Sequence, residues 1–427
     1  MEYHVFQNSK DYYLYITDIK QLFLIPADEY NIFKTNIDSK AMESLLVKYK
    51  QVSNEEDFYE LTNPKNYRYG LFLCVANTCN LRCSYCFAHQ GDYGKSKGLM
   101  DIDTAKKSID FYMEQVPENC DAYIIFFGGE PMLSYDIIEK VCSYVKATYS
   151  RKKFKFHIVT NGTLFKKNVI DFFKENDFGV AVSIDGGKSI QDTQRPMASG
   201  KSSYDAIKSN LSYLLENIPN VHARGTYTDF NYSLVTLYKD LLNLGFKEVN
   251  IPPDILNPIS NVNFDKVLKQ LDYLYLFVLE YSIDHEDFPF GLFIEHIRRL
   301  FIPKINSSFG CGIGESTFSV DIHGDVYPCH RFSSIEESKI GNVFHTVRVV
   351  KESEYSNKCK SCWNRYTCSH GCKYNDIMLS ENTVEKNQYW CMYSQKMTEL
   401  SLALCANLNE NTIAKILCVG EESYKTL

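Results

Sequence analysis

Residues 69–88 read YGLFLCVANTCNLRCSYCFA, an apolar run followed by three closely spaced cysteines. The run YGLFLCVAN predicts a buried β-strand. Cys79, Cys83 and Cys86 follow it with the spacing C-x3-C-x2-C. Thiolates on one loop are typical ligands of iron–sulfur clusters, and three of them leave one iron of a four-iron cluster without a protein ligand. By analogy with catalytic zinc, an open metal position indicates a reactive site.

Strand-like and helix-like segments alternate from about residue 70 onward. The six strand candidates are YGLFLCVAN, AYIIFFGGEP, KFKFHIVTNGT, DFGVAVSIDGG, VHARGTYTD and FKEVNIPP. The first helix candidate, DIDTAKKSIDFYMEQ, begins with an Asp that can cap it. The alternation predicts an α/β fold, a partial (β/α)6 TIM-like barrel, with a doubly wound sheet as the alternative. The polar ends GGEP, TNGT and SIDGG predict one cofactor-lined face at the carboxyl ends of the strands, although each could also be a plain turn.

The chain of 427 residues is long enough for several domains. We expect a small α+β module at residues 1–65, the barrel at 66–260, a helical linker at 261–305 and a cysteine-rich domain at 306–427. The first module reads as short strands and a helix. It is interpreted as a winged-helix-like element that recognises a peptide, or as a structural extension.

Composition excludes several classes of partner. A net charge of -7 gives no general basic surface, so nucleic acid is not expected as a partner. No apolar run is long enough to span a bilayer, and the start of the chain lacks the features of a signal peptide. We therefore expect a cytoplasmic protein without membrane contact.

Fifteen cysteines in a reducing compartment indicate metal binding rather than disulfides. Beyond the first three, seven are spaced along the last third of the chain: Cys311, Cys329, Cys359, Cys362, Cys368, Cys372 and Cys391. The five others are expected mostly as small buried apolar residues: Cys74, Cys120, Cys142, Cys405 and Cys418. A pair of zinc sites is the alternative for the second set.

The segment CNLRCSYC resembles the signature of radical S-adenosylmethionine (SAM) enzymes. The resemblance implies a 4Fe–4S cluster whose open iron chelates SAM, and a 5′-deoxyadenosyl radical that abstracts hydrogen from the substrate. Further positions resemble the family's SAM contacts: Gly128, Gly129, Glu130 and Pro131 in GGEP, Asn161 in TNGT, Ser183 in SIDG and Arg195 in QDTQRP. A guanidinium such as that of Arg195 is suited to bind the SAM carboxylate through two hydrogen bonds.

The second cysteine set resembles the SPASM domain of peptide-modifying radical SAM enzymes, which carries two auxiliary 4Fe–4S clusters. The resemblance implies that Cys359, Cys362, Cys368 and Cys391 complete the distal cluster. Cys311, Cys329 and Cys372 would hold the proximal one. Relatives that have all the cysteine ligands of both auxiliary clusters carry one more cysteine shortly before the position of Cys311. In this chain the corresponding stretch, FIPKINSSFG, contains no cysteine. The last iron is open, or it is capped by water, a non-cysteine side chain or Cys405.

An open auxiliary iron could bind a substrate thiolate and fix its sulfur. The sequence therefore predicts a maturase that forms sulfur-to-carbon thioether cross-links in a ribosomal cysteine-rich precursor peptide. CFAHQGDYG is also similar to the corresponding stretch of such maturases. The expected partners are the precursor peptide with its leader and a low-potential electron donor of the flavodoxin or ferredoxin type.

The alternatives are an anaerobic sulfatase-maturating enzyme, which produces formylglycine, and a carbon–carbon cross-linking maturase. Resemblance to the sulfatase-maturating enzymes would imply a proximal cluster with all of its cysteines and an Asp, acting as a base, directly after the position of Cys329. Here the residue after Cys329 is His330, a candidate catalytic base or a packing residue. Asp321 and Asp325 are weaker candidates, because DIHGDVYPC also reads as a hairpin. A cluster-binding sensor without catalysis is disfavoured, because it needs no SAM contacts.

Overall fold

A computed structural model of the chain describes residues 3–35, 39–52, 69–118, 120–254, 261–301, 312–348, 359, 361–368, 371–379 and 388–423. Its first part is an antiparallel sheet with the order β1-β2-β3, followed by two helices. The strands are Tyr3–Asn8, Asp11–Ile16 and Gln21–Ile25, and the helices are α1 (Ala27–Thr35) and α2 (Ser39–Val52). The two helices cover one face of this sheet, because the inward side chains of β2 and β3 share a small core with them.

Six parallel strands form the centre of a second, larger sheet, in the same order as along the chain. They are β4 (Tyr69–Ala76), β5 (Ala122–Gly128), β6 (Phe154–Thr160), β7 (Gly179–Ser183), β8 (Val221–Arg224) and β9 (Val249–Asn250). Each strand pairs in parallel with the next. Because crossovers between parallel strands are almost always right-handed, an order that advances in one direction places the connecting helices on the same face of the sheet. This order fits the predicted (β/α)6 arrangement and differs from a doubly wound sheet, whose order reverses.

The connecting helices are α3 (Ile102–Gln115), α4 (Tyr135–Thr148), α5 (Lys167–Glu175), α6 (Lys188–Gln194), α7 (Ser203–Asn217) and α8 (Leu234–Asn243). The predicted cap of the first one is confirmed: Asp101 Oδ1 accepts a hydrogen bond from the Thr104 N–H at 2.8 Å. The outward side chains of the strands pack on these helices. Phe126 on β5 and Phe156 on β6 contact Phe178 just before β7 at centroid distances of 5.9 and 5.5 Å, and Phe178 stacks on Phe173 of α5 at 4.6 Å.

A segment from far along the chain extends the sheet beyond β4. Strand β10 (Thr317–Val320) pairs in parallel with β4, and β11 (Asp325–Tyr327) returns antiparallel before β12 (Gly341–Asn342). Asp321 closes the β10–β11 turn, because its Oδ1 accepts hydrogen bonds from the N–H groups of His323 and Asp325 at 3.0 and 3.1 Å. The hairpin predicted for DIHGDVYPC is confirmed.

The remaining helices are α9 (Asn261–Asp284), α10 (Gly291–Phe301), α11 (Arg365–Cys368), α12 (Lys373–Leu379), α13 (Gln388–Asn407) and α14 (Glu410–Ser423). Buried side chains of α9, α10 and α13 share the main core with the barrel. Arg298 joins α10 to α14 by donating from Nε to the Ile416 carbonyl at 2.9 Å. None of the helices described here is long and apolar enough to cross a membrane.

The N-terminal sheet packs on the cysteine-rich C-terminal part of the chain. The ring of His4 stacks on Trp363 at 3.7 Å between centroids, and its Nε2 lies 2.7 Å from Glu399 Oε1 on α13. Asp18 lies 3.6 Å from Arg365. The predicted domain boundaries near residues 65, 260 and 305 fall outside the described residues, so the division into domains stays a prediction.

Candidate active site

The first three cysteines lie on the loop that leaves the carboxyl end of β4. Cys79, Cys83 and Cys86 are all partly buried there. The Leu81 N–H donates to Cys79 Sγ at 3.4 Å, and the Cys86 N–H to the Cys83 carbonyl at 3.4 Å. Burial, then the nearby Glu130 carboxylate and the other two thiols, raises the pKa of Cys79 to about 12. Three interacting thiols fit a four-iron cluster with one iron left without a protein ligand, and metal binding would deprotonate them.

These thiols are near one another without forming a ready-made metal site. In the described part of the chain, no three His, Cys, Asp or Glu side chains already lie at metal-ligand spacing. Residues of the loop nevertheless fit a cluster chemically, because the thiols come from one eight-residue segment and influence one another's ionisation. When bound there, a cluster would supply the electron that cleaves SAM.

The GGEP motif holds the cysteine loop in place. Gly129 donates its N–H to the Ala76 carbonyl at 2.8 Å, and Glu130 donates its N–H to the Thr78 carbonyl at 2.9 Å. A Cβ atom at Gly129 would lie 2.3 Å from the Thr78 carbonyl oxygen, and one at Gly128 would lie 2.4 Å from that of Ala76. Only glycine allows such close backbone contact. Pro131 then opens a short 3-10 helix, Pro131–Ser134.

The Glu130 side chain is fully buried and is hydrogen-bonded to the protein itself. Its carboxylate accepts from the N–H groups of Met132 and Asn161 at 3.0 and 2.8 Å and from the Thr160 hydroxyl at 2.6 Å. Burial raises its pKa to about 7. In this structure the acid joins the carboxyl ends of β5 and β6, and its contact with a SAM amino group stays a prediction.

Asn161 is both a turn residue and a neighbour of the cysteine loop. Its Oδ1 accepts from the Thr163 N–H at 3.0 Å, as expected for the turn in TNGT. Its Nδ2 donates to Asn80 Oδ1 at 2.8 Å and lies 3.8 Å from Cys79 Sγ. Asn161 can therefore be both a turn residue and part of the predicted cofactor-lined face.

Arg195 forms a two-point ion pair with Asp185, at 3.0 Å for both Nε–Oδ2 and Nη2–Oδ1. Asp185 is fully buried, and it also accepts from the Tyr85 hydroxyl at 2.5 Å and from the Thr226 N–H at 2.9 Å. Ser183, also at the carboxyl end of β7, is partly buried two residues before Asp185. The structure thus places Arg195 beside the cysteine loop, with its guanidinium carbon 5.3 Å from the ring centre of Tyr85 and already paired with a carboxylate. The role of Ser183 and Arg195 as SAM contacts stays a prediction.

His330 lies against the inner face of the barrel. Its ring centroid is 4.2 Å from Phe72 on β4, 4.5 Å from Phe127 on β5 and 5.8 Å from Phe87, the residue after Cys86. Burial, then the charges of Arg331 and Arg224, lowers the pKa of His330 to about 3. The imidazole is therefore neutral near pH 7, and its role as a base stays a prediction.

The predicted proximal cysteines share one small apolar cluster. Cys329 and Cys372 both pack against Tyr327, Phe332 and Tyr374. Ile313 contacts the same cluster, whereas Cys311 itself lies outside the described residues. Cys405 packs instead against the main core. This placement does not favour Cys405 as the missing ligand.

The predicted distal cysteines gather between α11 and α13. The Cys362 N–H donates to the Cys359 carbonyl at 3.2 Å, and Gln395 Nε2 lies 3.9 Å from Cys362 Sγ. Burial raises the pKa of Cys368, which also interacts with Ser394 and Trp390 on α13, the helix that carries Cys391. Cys362 and Cys368 thus both lie against the helix that carries Cys391. Their assembly with Cys359 and Cys391 into one closed cluster stays a prediction.

Comparison with known proteins agrees with this geometry. Residues 73–231 match the profile of the radical SAM superfamily. An uncharacterised protein of Methanocaldococcus jannaschii is 35% identical over 214 residues, which are 47% of this chain and 70% of that protein. The chain belongs to the radical SAM superfamily.

Two further similarities extend past the barrel of this radical SAM enzyme. A cysteine-type anaerobic sulfatase-maturating enzyme of Clostridium novyi is 29% identical over 331 residues, covering 70% of this chain and 86% of the relative. The solved structure of native anSMEcpe with bound AdoMet and the Cp18Cys peptide has a TM-score of 0.65 at 22% identity and covers 79% of this chain and 98% of that one. The resemblance to radical SAM enzymes with a SPASM domain is confirmed, whereas the number of clusters stays a prediction.

Sequence reasoning missed two residues of this radical SAM enzyme. Asp185 lies within the motif SIDG, two residues after Ser183, and its position at the end of a strand was the available signal. Arg331 contacts both cysteine regions, and nothing in its sequence neighbourhood indicated this. The lone cysteines behave as expected at Cys74 and Cys142, which are fully buried, while Cys120 and Cys405 are only partly buried.

Proposed function

We propose that this radical SAM enzyme is a maturase that forms thioether cross-links in a ribosomal, cysteine-rich precursor peptide. At the coarser level it modifies a peptide or protein, as its sulfatase-maturating relative does by name. The proposed cofactors are SAM and three 4Fe–4S clusters, one at Cys79, Cys83 and Cys86 and two at the C-terminal cysteines. SAM and the first cluster supply, when bound, the 5′-deoxyadenosyl radical that abstracts hydrogen.

The observation that carries this proposal is the contact between the two cysteine regions. His330 directly follows Cys329, and its ring lies 5.8 Å from that of Phe87, which directly follows Cys86. This contact supports the proposal that a substrate sulfur bound at the proximal site would lie beside the site where the radical forms. The proximal set also has one cysteine too few for a closed cluster, which leaves room for that sulfur.

The residues of the chain have distinct proposed roles in this reaction. Gly128, Gly129 and Glu130 fix the cysteine loop, and Arg195 with Ser183 binds the carboxylate and ribose of SAM. His330 is neutral and, with a pKa lowered to about 3 by burial, accepts a hydrogen bond from the substrate rather than holding its proton. Overall, the thiol and the acceptor carbon each lose one hydrogen when the sulfur–carbon bond forms. One hydrogen atom goes to the deoxyadenosyl radical, and the remaining proton and electron go to solvent and to the auxiliary clusters.

A second candidate function is formylglycine formation, which the similarity to a cysteine-type sulfatase-maturating enzyme favours. His330 stands where that family carries its Asp base, and the sequence before Cys311 lacks the additional cysteine. In the sequence, both differences fall in the predicted proximal cysteine set, which the two reactions would use differently. They favour thioether formation over oxidation of a single residue.

Mass spectrometry separates these functions. The protein is co-expressed with a short cysteine-rich peptide encoded beside its gene, and we expect loss of two hydrogens per cross-link, with those cysteines resistant to alkylation. The triple variant Cys79→Ala, Cys83→Ala, Cys86→Ala is the control and should leave the peptide unchanged. Loss of sulfur with an aldehyde that reacts with a hydrazide would instead establish formylglycine formation. Absence of 5′-deoxyadenosine from the reduced, reconstituted protein would contradict both.

The N-terminal sheet is the proposed docking site of the leader peptide. Strand β3 is an edge of its three-stranded sheet, and Leu24 on this strand is 66% exposed. An extended peptide can add to such an edge through backbone hydrogen bonds. We expect Leu24→Asp to weaken binding of a fluorescent leader peptide, and Val47→Asp on exposed α2 to serve as the matched control. Equal affinities for both variants and the wild type would contradict docking at β3.

The proposed electron donor is a flavodoxin or ferredoxin. The clusters need a low-potential one-electron source, and such proteins are its usual form. Reduction of the reconstituted enzyme by flavodoxin, followed by formation of 5′-deoxyadenosine, is the direct measurement.

A further inference from the structure

Arg331, next to His330 in the chain, also touches both cysteine regions. Its guanidinium carbon lies 5.4 Å from the ring centre of Phe87 and 4.7 Å from that of Tyr374. Phe87 directly follows Cys86, and Tyr374 lies two residues after Cys372. The planar cation therefore lies within cation–π distance of one aromatic ring from each cysteine region, an arrangement that favours Arg over Lys.

The same guanidinium points at a thiol. Arg331 Nη1 lies 3.9 Å from Cys372 Sγ, and it donates to Asn375 Oδ1 at 3.0 Å. Asn375 is 6% exposed, so it fixes the guanidinium from a buried position without neutralising it. Among the described residues, no carboxylate forms an ion pair with Arg331. Its positive charge is thus directed to the sulfur of Cys372.

A cation and hydrogen-bond donor at a ligand sulfur stabilises the more negative, reduced form of an iron–sulfur cluster. Reduction potentials of such clusters are set by net charge, by hydrogen bonds to the sulfurs and by solvent exposure. At Cys372, Arg331 supplies both a positive charge and a hydrogen-bond donor to the sulfur. The two aromatic rings and the partial burial of the arginine limit solvent exposure at this site.

We propose that Arg331 raises the reduction potential of the proximal auxiliary cluster, so that this cluster accepts the electron released when the product forms. Arg331 is a positioning and tuning residue in this proposal, and it does not touch the reacting atoms. The inference rests on the proposed assignment of Cys329 and Cys372 to an auxiliary cluster.

The test is potentiometry of the reconstituted protein followed by electron paramagnetic resonance. The background is the triple variant Cys79→Ala, Cys83→Ala, Cys86→Ala, in which only auxiliary clusters contribute a signal. The signal lost in the further variant Cys372→Ala identifies the proximal cluster. We expect Arg331→Gln to shift the midpoint of that signal to a more negative potential and to leave the other signal unchanged.

Two further variants make the result specific to charge. Arg331→Lys keeps the charge with a different geometry, so it should shift the midpoint in the same direction by a smaller amount, even if Arg331→Gln binds iron poorly. Arg365→Gln is the matched control, because Arg365 also covers a tyrosine ring, at 4.4 Å, yet donates to the carbonyl of Cys362, a residue of the predicted distal set. It should not move the proximal midpoint.

The contrary outcomes are distinguishable. A proximal midpoint that is unchanged in Arg331→Gln, or one that moves as far in Arg331→Lys, would overturn the role of Arg331 while leaving the proposed function intact. If no signal depends on Cys372, the assignment of the auxiliary cluster fails, and this inference fails with it.

Discussion

The two cysteine regions of this enzyme use the same thiol chemistry on different supports. Cys79, Cys83 and Cys86 lie within eight residues on one loop, which backbone hydrogen bonds from Gly129 and Glu130 hold against β4. The C-terminal thiols come from segments that are distant in sequence, and small side-chain clusters bring them together. The first region is therefore shaped by the sheet before metal binds, whereas the second should depend more on metal for its stability.

Removing one thiol from each region should give the largest and most different effects. We expect Cys83→Ala to abolish formation of 5′-deoxyadenosine and to leave the auxiliary clusters in place. Cys368→Ala should instead lower the iron content and the thermal stability while SAM cleavage persists. Iron analysis, product chromatography and calorimetry measure these outcomes, and identical losses in both variants would refute the distinction between the regions.

Asp185→Asn should have the next largest effect, because it leaves the Arg195 guanidinium without its ion pair. Asp185 is fully buried and Arg195 has a side-chain exposure of 11%. Breaking a buried pair on one side typically destabilises by about 3–5 kcal/mol. Urea unfolding measures this loss, and binding of SAM should weaken with it. The exposed pair of Lys188 and Asp205 is the control, where Asp205→Asn should change little.

Gly129→Ala tests the backbone support of the first region. Its Cβ would lie 2.3 Å from the Thr78 carbonyl oxygen and 2.7 Å from that of Gly91, so the cysteine loop must move. Overpacking of this kind costs about 1–3 kcal/mol. Gly98→Ala is the matched control, because its Cβ meets only the end of the Ile322 side chain. Equal unfolding free energies for the two variants would argue against a rigid loop.

The buried Glu130 should make the stability of the barrel pH-dependent. Its pKa of about 7 in the folded chain lies above the ordinary value of 4.5 for a glutamate, because burial disfavours the charged form. The folded chain then retains a proton that the unfolded chain releases between about pH 4.5 and 7, so stability falls as the pH rises through this window. Glu130→Gln should flatten that decline. If the stability–pH curves of the wild type and the variant are parallel, Glu130 is not the source of the pH dependence.

His4→Ala should have the smallest effect and should be confined to the second region. It removes the stacking on Trp363 and the contact with Glu399, each expected to contribute about 1 kcal/mol. We expect faster amide hydrogen exchange in β1 and α13 without a change in SAM cleavage. Lys10→Ala in the exposed β1–β2 turn is the control. Faster exchange in the barrel strands of the His4→Ala variant would contradict an effect confined to the second region.

The sequence alone determined the features that depend on neighbours along the chain. The spacing of Cys79, Cys83 and Cys86 indicated the cluster loop, the alternation of segments indicated six parallel strands, and Asp101 marked the start of α3. Each depends on local conformation or periodicity, which a sequence displays directly. The hairpin at Asp321 was predictable for the same reason.

Only the tertiary structure decided which distant residues meet. It joined β10 to β4 across more than 240 residues, packed His4 on Trp363, paired Asp185 with Arg195 and placed Arg331 between Phe87 and Cys372. Such contacts depend on how strands order themselves and how helices cover them, and their partners have no fixed separation in sequence. The local sequence therefore predicts the cysteine loop, whereas the residues that surround and tune it come together only in the folded chain.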